Sequence, residues 1–399
     1  MDFIGVVCEY NPFHNGHLYH LEKSREALGD LPVVCVLSGD FVQRGEAALY
    51  SKFVRAEAAV HAGADAVFEL PLPWSLSSAE GFARGAVGLL GALGARYLSF
   101  GAETDDLHEL DALTRALLEP QTVTEIRALM ARDTTLSFAA ARERVLRDRC
   151  GASAAALETP NNILAVEYLK TIRAYCPELR PFAVRRYGSA HDGAGEGVQR
   201  SASELRERML RGESVEGFLP VASAAVLAKD SAAGRGMPDR DRIETALLSR
   251  LRALPPEAFT DLPDAAGGLG ERLARAAAEE PSFDAVCAAV KNKRLALSRI
   301  RRAACCAALG VEQGMSAGLP PYARLLAATW RGRAVLPEIK RKTAIPLLTR
   351  PAAVRQLNEE AQRIFTLGAK AHDLYVLGYS TESERRGGAD WRASPILTK

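Results

Sequence analysis

The chain has 399 residues, 48% hydrophobic and 25% charged, with a formal net charge of +2. This is the balance of a soluble globular protein, and its length calls for two or three domains rather than one core. Seven cysteines form no CxxC pair and no disulfide framework, and no run of 18 apolar residues is present. The expectation is therefore a chain of reduced thiols, in the cytoplasm and without a membrane span.

The first hundred residues alternate two kinds of segment. Phe3–Cys8, Val33–Leu37, Ala66–Leu70 and Tyr97–Phe100 are short apolar runs that predict strands. Gly16–Leu28, Ser51–Ala62 and Ser78–Leu93 have helical periodicity between them. Such alternation predicts an α/β domain with a Rossmann-like parallel sheet, whose ligands bind at the carboxyl ends of the strands. Residues 105–176 read as a helical insertion before a fifth strand near Arg180–Arg186. A Gly-rich turn, Gly188–Gly197, leads to a helix from Ser201. Beyond about 220 the pattern is helical. The expected division is a catalytic domain over 1–215 and a mainly helical, basic region over 216–399.

The basic character lies between 291 and 350, where thirteen basic residues face only Glu312 and Glu338. A polyanionic partner such as tRNA would explain it, because neutralising phosphates releases counterions. Tyr322 and Trp330 lie in the same segment and are candidates for stacking on unpaired bases, with core packing as the equal alternative.

The sharpest motif directly follows the first strand: Glu9-Tyr10-Asn11-Pro12-Phe13-His14-Asn15-Gly16-His17. His14-x-Gly16-His17 is the HxGH pattern of nucleotidyltransferases and class I aminoacyl-tRNA synthetases. Gly16 allows close approach of a phosphate, and the following helix turns free N–H groups toward it. His14 and His17 are the candidate catalytic residues, donating N–H bonds to charge that grows during attack at the α-phosphorus. Ser201-Ala202-Ser203-x-x-Arg206 resembles the second nucleotidyltransferase motif, which makes Ser201, Ser203 and Arg206 candidates for the outer phosphates; a plain capping box is the alternative. Ser38–Glu46 follows the second strand and should border the site. No acidic cluster marks a metal site, although Mg²⁺ is expected to accompany ATP.

The segments EYNPFHNGH (9–17), SGDFVQRGE (38–46), SFGAE (99–103), PNN (160–162), RRYGSAHD (185–192) and SASELR (201–206) occur in that order. Together they resemble the tRNA(Met) cytidine acetate ligase family, and the likeness is weakest between 215 and 285. It implies an enzyme that makes acetyl-AMP from acetate and ATP, then acetylates N4 of the wobble cytidine of elongator tRNA(Met). It also implies an ATP site taking in Val7, Cys8, Glu9, Tyr10, Asn11, Pro12, Phe13, His14, Asn15, Gly16, His17, Leu18, Tyr19 and His20, with Gly101, Asn162, Arg185 and Arg186. Lys293, Arg294, Arg299, Arg301 and Arg302 of the similar basic tail would contact tRNA. One departure stands out, since the family usually has Asn where this chain has Asp40. A negative charge there is unwelcome beside ATP and acetate unless a cation such as Lys52 or Arg44 lies close. The competing readings are an adenylyltransferase of small phosphate-bearing acceptors and a non-catalytic RNA-binding protein. A class I synthetase is disfavoured, because no KMSKS-like segment is present.

Overall fold

The computed structural model describes residues 1–133, 135–186 and 200–398, so the Gly188–Gly197 turn and the Tyr187–Asp192 part of its motif lie outside the described residues. β1 (Ile4–Cys8) leads into α1 (Asn15–Leu28). β2 (Val33–Ser38) leads into a small hairpin, β3 (Phe41–Val42) and β4 (Glu46–Ala47), and then α2 (Lys52–His61). β5 (Ala66–Leu70) precedes a single turn, α3 (Leu72–Ser75), and α4 (Ala79–Ala92). β6 (Tyr97–Ala102) is followed by the expected helical insertion, α5 (Leu107–Leu118), α6 (Pro120–Arg132), α7 (Phe138–Cys150) and α8 (Pro160–Tyr175), before β7 (Arg180–Arg185). Ser51, Ser78 and Asp106 begin α2, α4 and α5 by accepting hydrogen bonds from N–H groups two or three residues on.

These strands lie in the order β5-β2-β1-β6-β7, all parallel. Their apolar side chains feed two cores. Val34, Val36, Phe68 and Leu98 meet α4 and α8 on one face; Ile4, Val6, Leu37 and Val67 meet α1 and α2 on the other. Both faces are covered, as a parallel sheet requires.

Past residue 200 come α9 (Ala202–Leu210), α10 (Val221–Ala232), α11 (Arg240–Ala253), α12 (Leu269–Glu279), α13 (Phe283–Val290) and α14 (Leu297–Leu309). Then follow β8 (Ala323–Ala328), α15 (Trp330–Lys342), β9 (Leu347–Leu348), α16 (Glu359–Tyr375) and β10 (Ile396–Leu397). The region is mainly helical, as expected, and in addition returns three short strands to the sheet. β8 runs antiparallel to β5, and β9 and β10 pair with β8, so the sheet is mixed and its last strands come from the C-terminal part. Ala323-Arg324-Leu325-Leu326-Ala327-Ala328 has helix-forming composition, yet all six residues are buried in the sheet, and tertiary context overrides propensity.

α11 to α14 and α16 form a further core around Phe283, Cys305, Cys306 and Tyr375. Phe41 of the hairpin and Leu72 and Leu76 near α3 belong to this core, which ties the strand-two loop to the helical layer. Gly45 makes that approach possible. Its φ is +76°, and a Cβ there would sit 2.5 Å from the Arg302 backbone nitrogen on α14.

Candidate active site

The HxGH segment is built by its own histidines. His14 is the residue before α1, and its Nδ1 accepts the Gly16 N–H at 3.0 Å. His17 Nδ1 accepts the His14 N–H at 3.2 Å, which completes a reciprocal cap. The two rings stack with centroids 3.8 Å apart, and Tyr10 and Phe13 lean on His17. Burial pushes His14 down to about 4, helped by the charges of Arg186 and Arg206. Burial holds His17 well below the ordinary imidazole value, helped by His14, Arg186 and His20. Both rings are therefore neutral near pH 7. With Nδ1 committed as an acceptor in each, the proton sits on Nε2. His14 Nε2 is buried and has no partner among the described residues. A preformed N–H donor at a helix N-terminus is what an incoming phosphate oxygen needs. His14 is only 5% exposed and caps the helix, so its ring is held in place by packing as well as by hydrogen bonds.

The cation side comes from three distant segments. Arg206 of α9 donates to the Asn11 carbonyl at 3.1 Å and to Ser203 Oγ at 2.9 Å. Asn15 anchors the same junction, its Nδ2 donating to the Gly217 carbonyl at 2.8 Å. Arg186 follows β7, its main-chain N–H on the Ala102 carbonyl, and its side chain crosses Gly101, where an added Cβ would meet it at 3.3 Å. Arg44, exposed at the hairpin tip, adds its charge to the field on Glu9 and Arg206. Glu9 Oε1 accepts the Gln43 N–H at 2.8 Å; burial raises its carboxyl, partly offset by that bond and by Arg55.

Several expected site residues have structural work of their own. Val7 and Cys8 lie in β1, and Tyr10, Phe13 and Leu18 pack in the core beside them. Pro12 is buried in the loop ahead of α1, while Tyr19 is half-buried with Lys23 over its ring. Asn11 Oδ1 accepts the Leu49 N–H at 2.8 Å. Asn162, 2% exposed, is fully committed: Oδ1 accepts from Glu103 and Thr104, and Nδ2 donates to Ala156. It shapes the loop after β6, and Glu103 in return holds the Asn161 amide and the Asn162 N–H. Ser201 Oγ accepts the Glu204 N–H as an ordinary cap, while the charge of Arg206 reaches His14. Arg185 ends β7 and is exposed.

Two features were not read from the sequence. Arg55, 1% exposed, gathers the Glu9, Ser38, Gly39 and Tyr50 carbonyls and so joins the ends of β1 and β2. Its signal was a lone arginine on the apolar face of α2. The second is the buried network behind Asp40, in which the expected Lys52 is joined by His372, Glu69, Arg324 and Asp390. Asp40 Oδ1 accepts the Lys52 N–H at 2.8 Å, and its Oδ2 lies 2.9 Å from His372 Nδ1 and 3.9 Å from Lys52 Nζ. Lys52 also bonds Glu69 and Asp390 at 2.6 Å each, and Arg324 bonds the same two carboxylates. Burial alone would raise Asp40, but His372 and Lys52 hold it below the usual carboxylate value; burial alone would lower His372, and Asp40 raises it. Three carboxylates thus face Lys52, Arg324 and His372.

The basic segment is less free than its sequence implies. Arg301 is buried against Glu244 and Asp284, Arg302 reaches Asp264 at 3.3 Å, and Arg299 donates to the Asp264 and Ala266 carbonyls. Arg324 is buried and Arg331 pairs with Asp30. Most of these cations are met by acids elsewhere in the chain that fold against the run, and Arg299 by backbone carbonyls. Tyr322 is core, its ring tilted against Phe365, whereas Trp330 is 62% exposed. Lys293 and Arg294, on the loop before α14, are exposed. Among the described residues no group of three His, Cys, Asp or Glu could hold a metal ion, and no helix is long and apolar enough to cross a membrane.

Residues 1–390 match the model of the HIGH Nucleotidyl Transferase family. A tRNA(Met) cytidine acetate ligase of Syntrophotalea carbinolica is 39% identical over 358 residues, 88% of this chain and 85% of that protein. One of Acetivibrio thermocellus is 32% identical over all of both chains. The crystal structure of Thermotoga maritima TmcAL bound with alpha-thio ATP matches the whole fold with a TM-score of 0.91 at 31% identity.

Proposed function

Because the chain belongs to the tRNA(Met) cytidine acetate ligase family of HIGH nucleotidyltransferases, we propose that it activates acetate with ATP and acetylates N4 of the wobble cytidine of elongator tRNA(Met). An acetate oxygen attacks the α-phosphorus, the bond to pyrophosphate breaks, and acetyl-AMP forms. The cytidine amine then attacks the acyl carbon, AMP leaves, and the amine gives up a proton. The observation that carries this reading is the pair of neutral imidazoles at the start of α1, with Nε2–H free for an anion in His14. Such donors act where charge grows on the equatorial oxygens, more strongly in the transition state than on bound ATP. Arg186 and Arg206 supply positive charge beside them. Mg²⁺ would enter with the triphosphate and neutralise part of its charge.

Agreement over the whole length, helical layers included, favours this function over an adenylyltransferase of small phosphate acceptors and over a non-catalytic RNA binder. For tRNA, the exposed Lys293 and Arg294 remain the candidate contacts. The test of the first step is label exchange between pyrophosphate and ATP. Acetate-dependent exchange is expected, and exchange indifferent to acetate would refute the reading.

A further inference from the structure

His20 lies one turn beyond His17 and differs from its two neighbours in which nitrogen carries the proton. The proof is a count of protons along three hydrogen bonds. Ser24 Oγ donates to the His20 carbonyl at 2.7 Å, and a carbonyl can only accept. Ser24 has one proton, so its 2.7 Å contact with Ser99 Oγ must be a bond donated by Ser99. Ser99 has then spent its own proton, and its 2.8 Å contact with His20 Nε2 must be donated by the imidazole. Both serines are fully buried, which leaves no water to relieve the chain. Burial and the charge of Arg186 push His20 down to about 4, so one ring proton is all it holds near neutral pH. Nδ1 is a lone-pair acceptor, and among the described residues it makes no hydrogen bond.

We infer that His20 is the nucleoside-reading residue of this site, with Ser99 and Ser24 as positioning residues that fix its tautomer. His14 and His17 present N–H donors suited to phosphate oxygens. His20 presents the opposite polarity within reach of the charge of Arg186, which itself crosses Gly101 near the end of β6. An acceptor there has no use for a phosphate oxygen or for acetate at neutral pH. It selects an uncharged donor, and a nucleoside triphosphate offers these on the ribose hydroxyls and the adenine amine. The inference rests on the ATP-dependent function proposed above.

The test uses the full chain and acetate-dependent pyrophosphate exchange with ATP, 2′-deoxy-ATP, 3′-deoxy-ATP and the triphosphate of purine riboside, which lacks the amine. Wild type is expected to use one of the three analogues roughly tenfold less well than ATP, the usual worth of one neutral hydrogen bond. Two substitutions separate reading from support. In His20→Asn the amide oxygen stands near the Nδ1 position, so discrimination is retained although the bond to Ser99 is lost. In His20→Gln the amide nitrogen reproduces the bond to Ser99 but the acceptor is missing, so discrimination falls to about one while the fold stays intact. The reverse pattern, a wild-type Gln variant and an impaired Asn variant, would make His20 structural only and overturn the inference. Equal use of all four nucleotides by wild type would overturn it too. Exchange absent even with ATP would instead count against the proposed function, so the two failures are distinguishable.

Discussion

Replacing His17 by Asn should separate catalysis from folding at the start of α1. An alanine would remove two things at once, the Nε2–H donor and the Nδ1 that accepts the His14 N–H at 3.2 Å. The second loss would leave a partly buried N–H without a partner, at a cost of about 1–3 kcal/mol. Asparagine keeps that acceptor, because its amide oxygen stands near the Nδ1 position, and it cannot reach to where Nε2 was. The cap survives and the donor is gone. Loss of one such donor costs about 10²–10³ in rate, or roughly 3–4 kcal/mol of transition-state stabilisation. Because the donor acts on charge that develops during attack, kcat should fall by that factor while the KM for ATP moves less than about threefold. The assay is acetate-dependent pyrophosphate exchange, with thermal unfolding of the same preparation as the control. A folded His17→Asn enzyme that exchanged within about threefold of wild type would refute the role given to the imidazole.

His14→Ala should lose rate to a similar extent and, because His14 accepts the Gly16 N–H as the helix cap, also about 1 kcal/mol of stability in denaturant unfolding. Since burial holds His14 near 4, the exchange rate should stay flat from pH 6 to 8; an inflection near 6.5 would contradict a neutral donor pair. Arg301→Ala should destabilise the fold by about 2 kcal/mol, because Glu244 loses its buried partner and keeps only the more exposed Arg240; Lys293→Ala and Arg294→Ala should leave stability alone and each lower the salt slope of tRNA binding by about one. His372, raised by Asp40, contributes stability that is full below its unfolded value near 6.5 and is lost as pH rises through the folded value. Asp40→Asn removes the nearest raising charge, so urea midpoints between pH 6 and 9 should decline less steeply than in wild type; an unchanged decline would show that the pair does not set it.

What the sequence made legible was local. The histidines proposed to carry the chemistry sit within four residues of one another and cap the helix that they begin, so spacing alone exposes them. The parallel strands declared themselves by short apolar runs, and the insertion by its helical period. What stayed hidden depends on partners far along the chain. Asp40 looked unwelcome because His372, 332 residues away, cannot be seen beside it, nor Asp390 beside Lys52. The basic run looked like an open surface because Glu244, Asp264 and Asp284 lie outside it and neutralise it only after folding. Asn162 and Ser201 read as ligand contacts because a polar side chain that is spent on a loop or a cap has the same letter as one that is free. β8 escaped because alanine and leucine favour a helix until a sheet edge claims them.

The most direct measurement joins both half-reactions. The full-length protein is incubated with ATP, carboxyl-labelled acetate and bulk tRNA, the tRNA is digested, and the labelled nucleoside is identified. The account predicts label in N4-acetylcytidine from the wobble position of elongator tRNA(Met), dependent on ATP and on acetate, with AMP and pyrophosphate formed in equal amounts. Label that stayed in acetyl-AMP without reaching tRNA, or AMP transferred to a small phosphate-bearing acceptor instead, would contradict it.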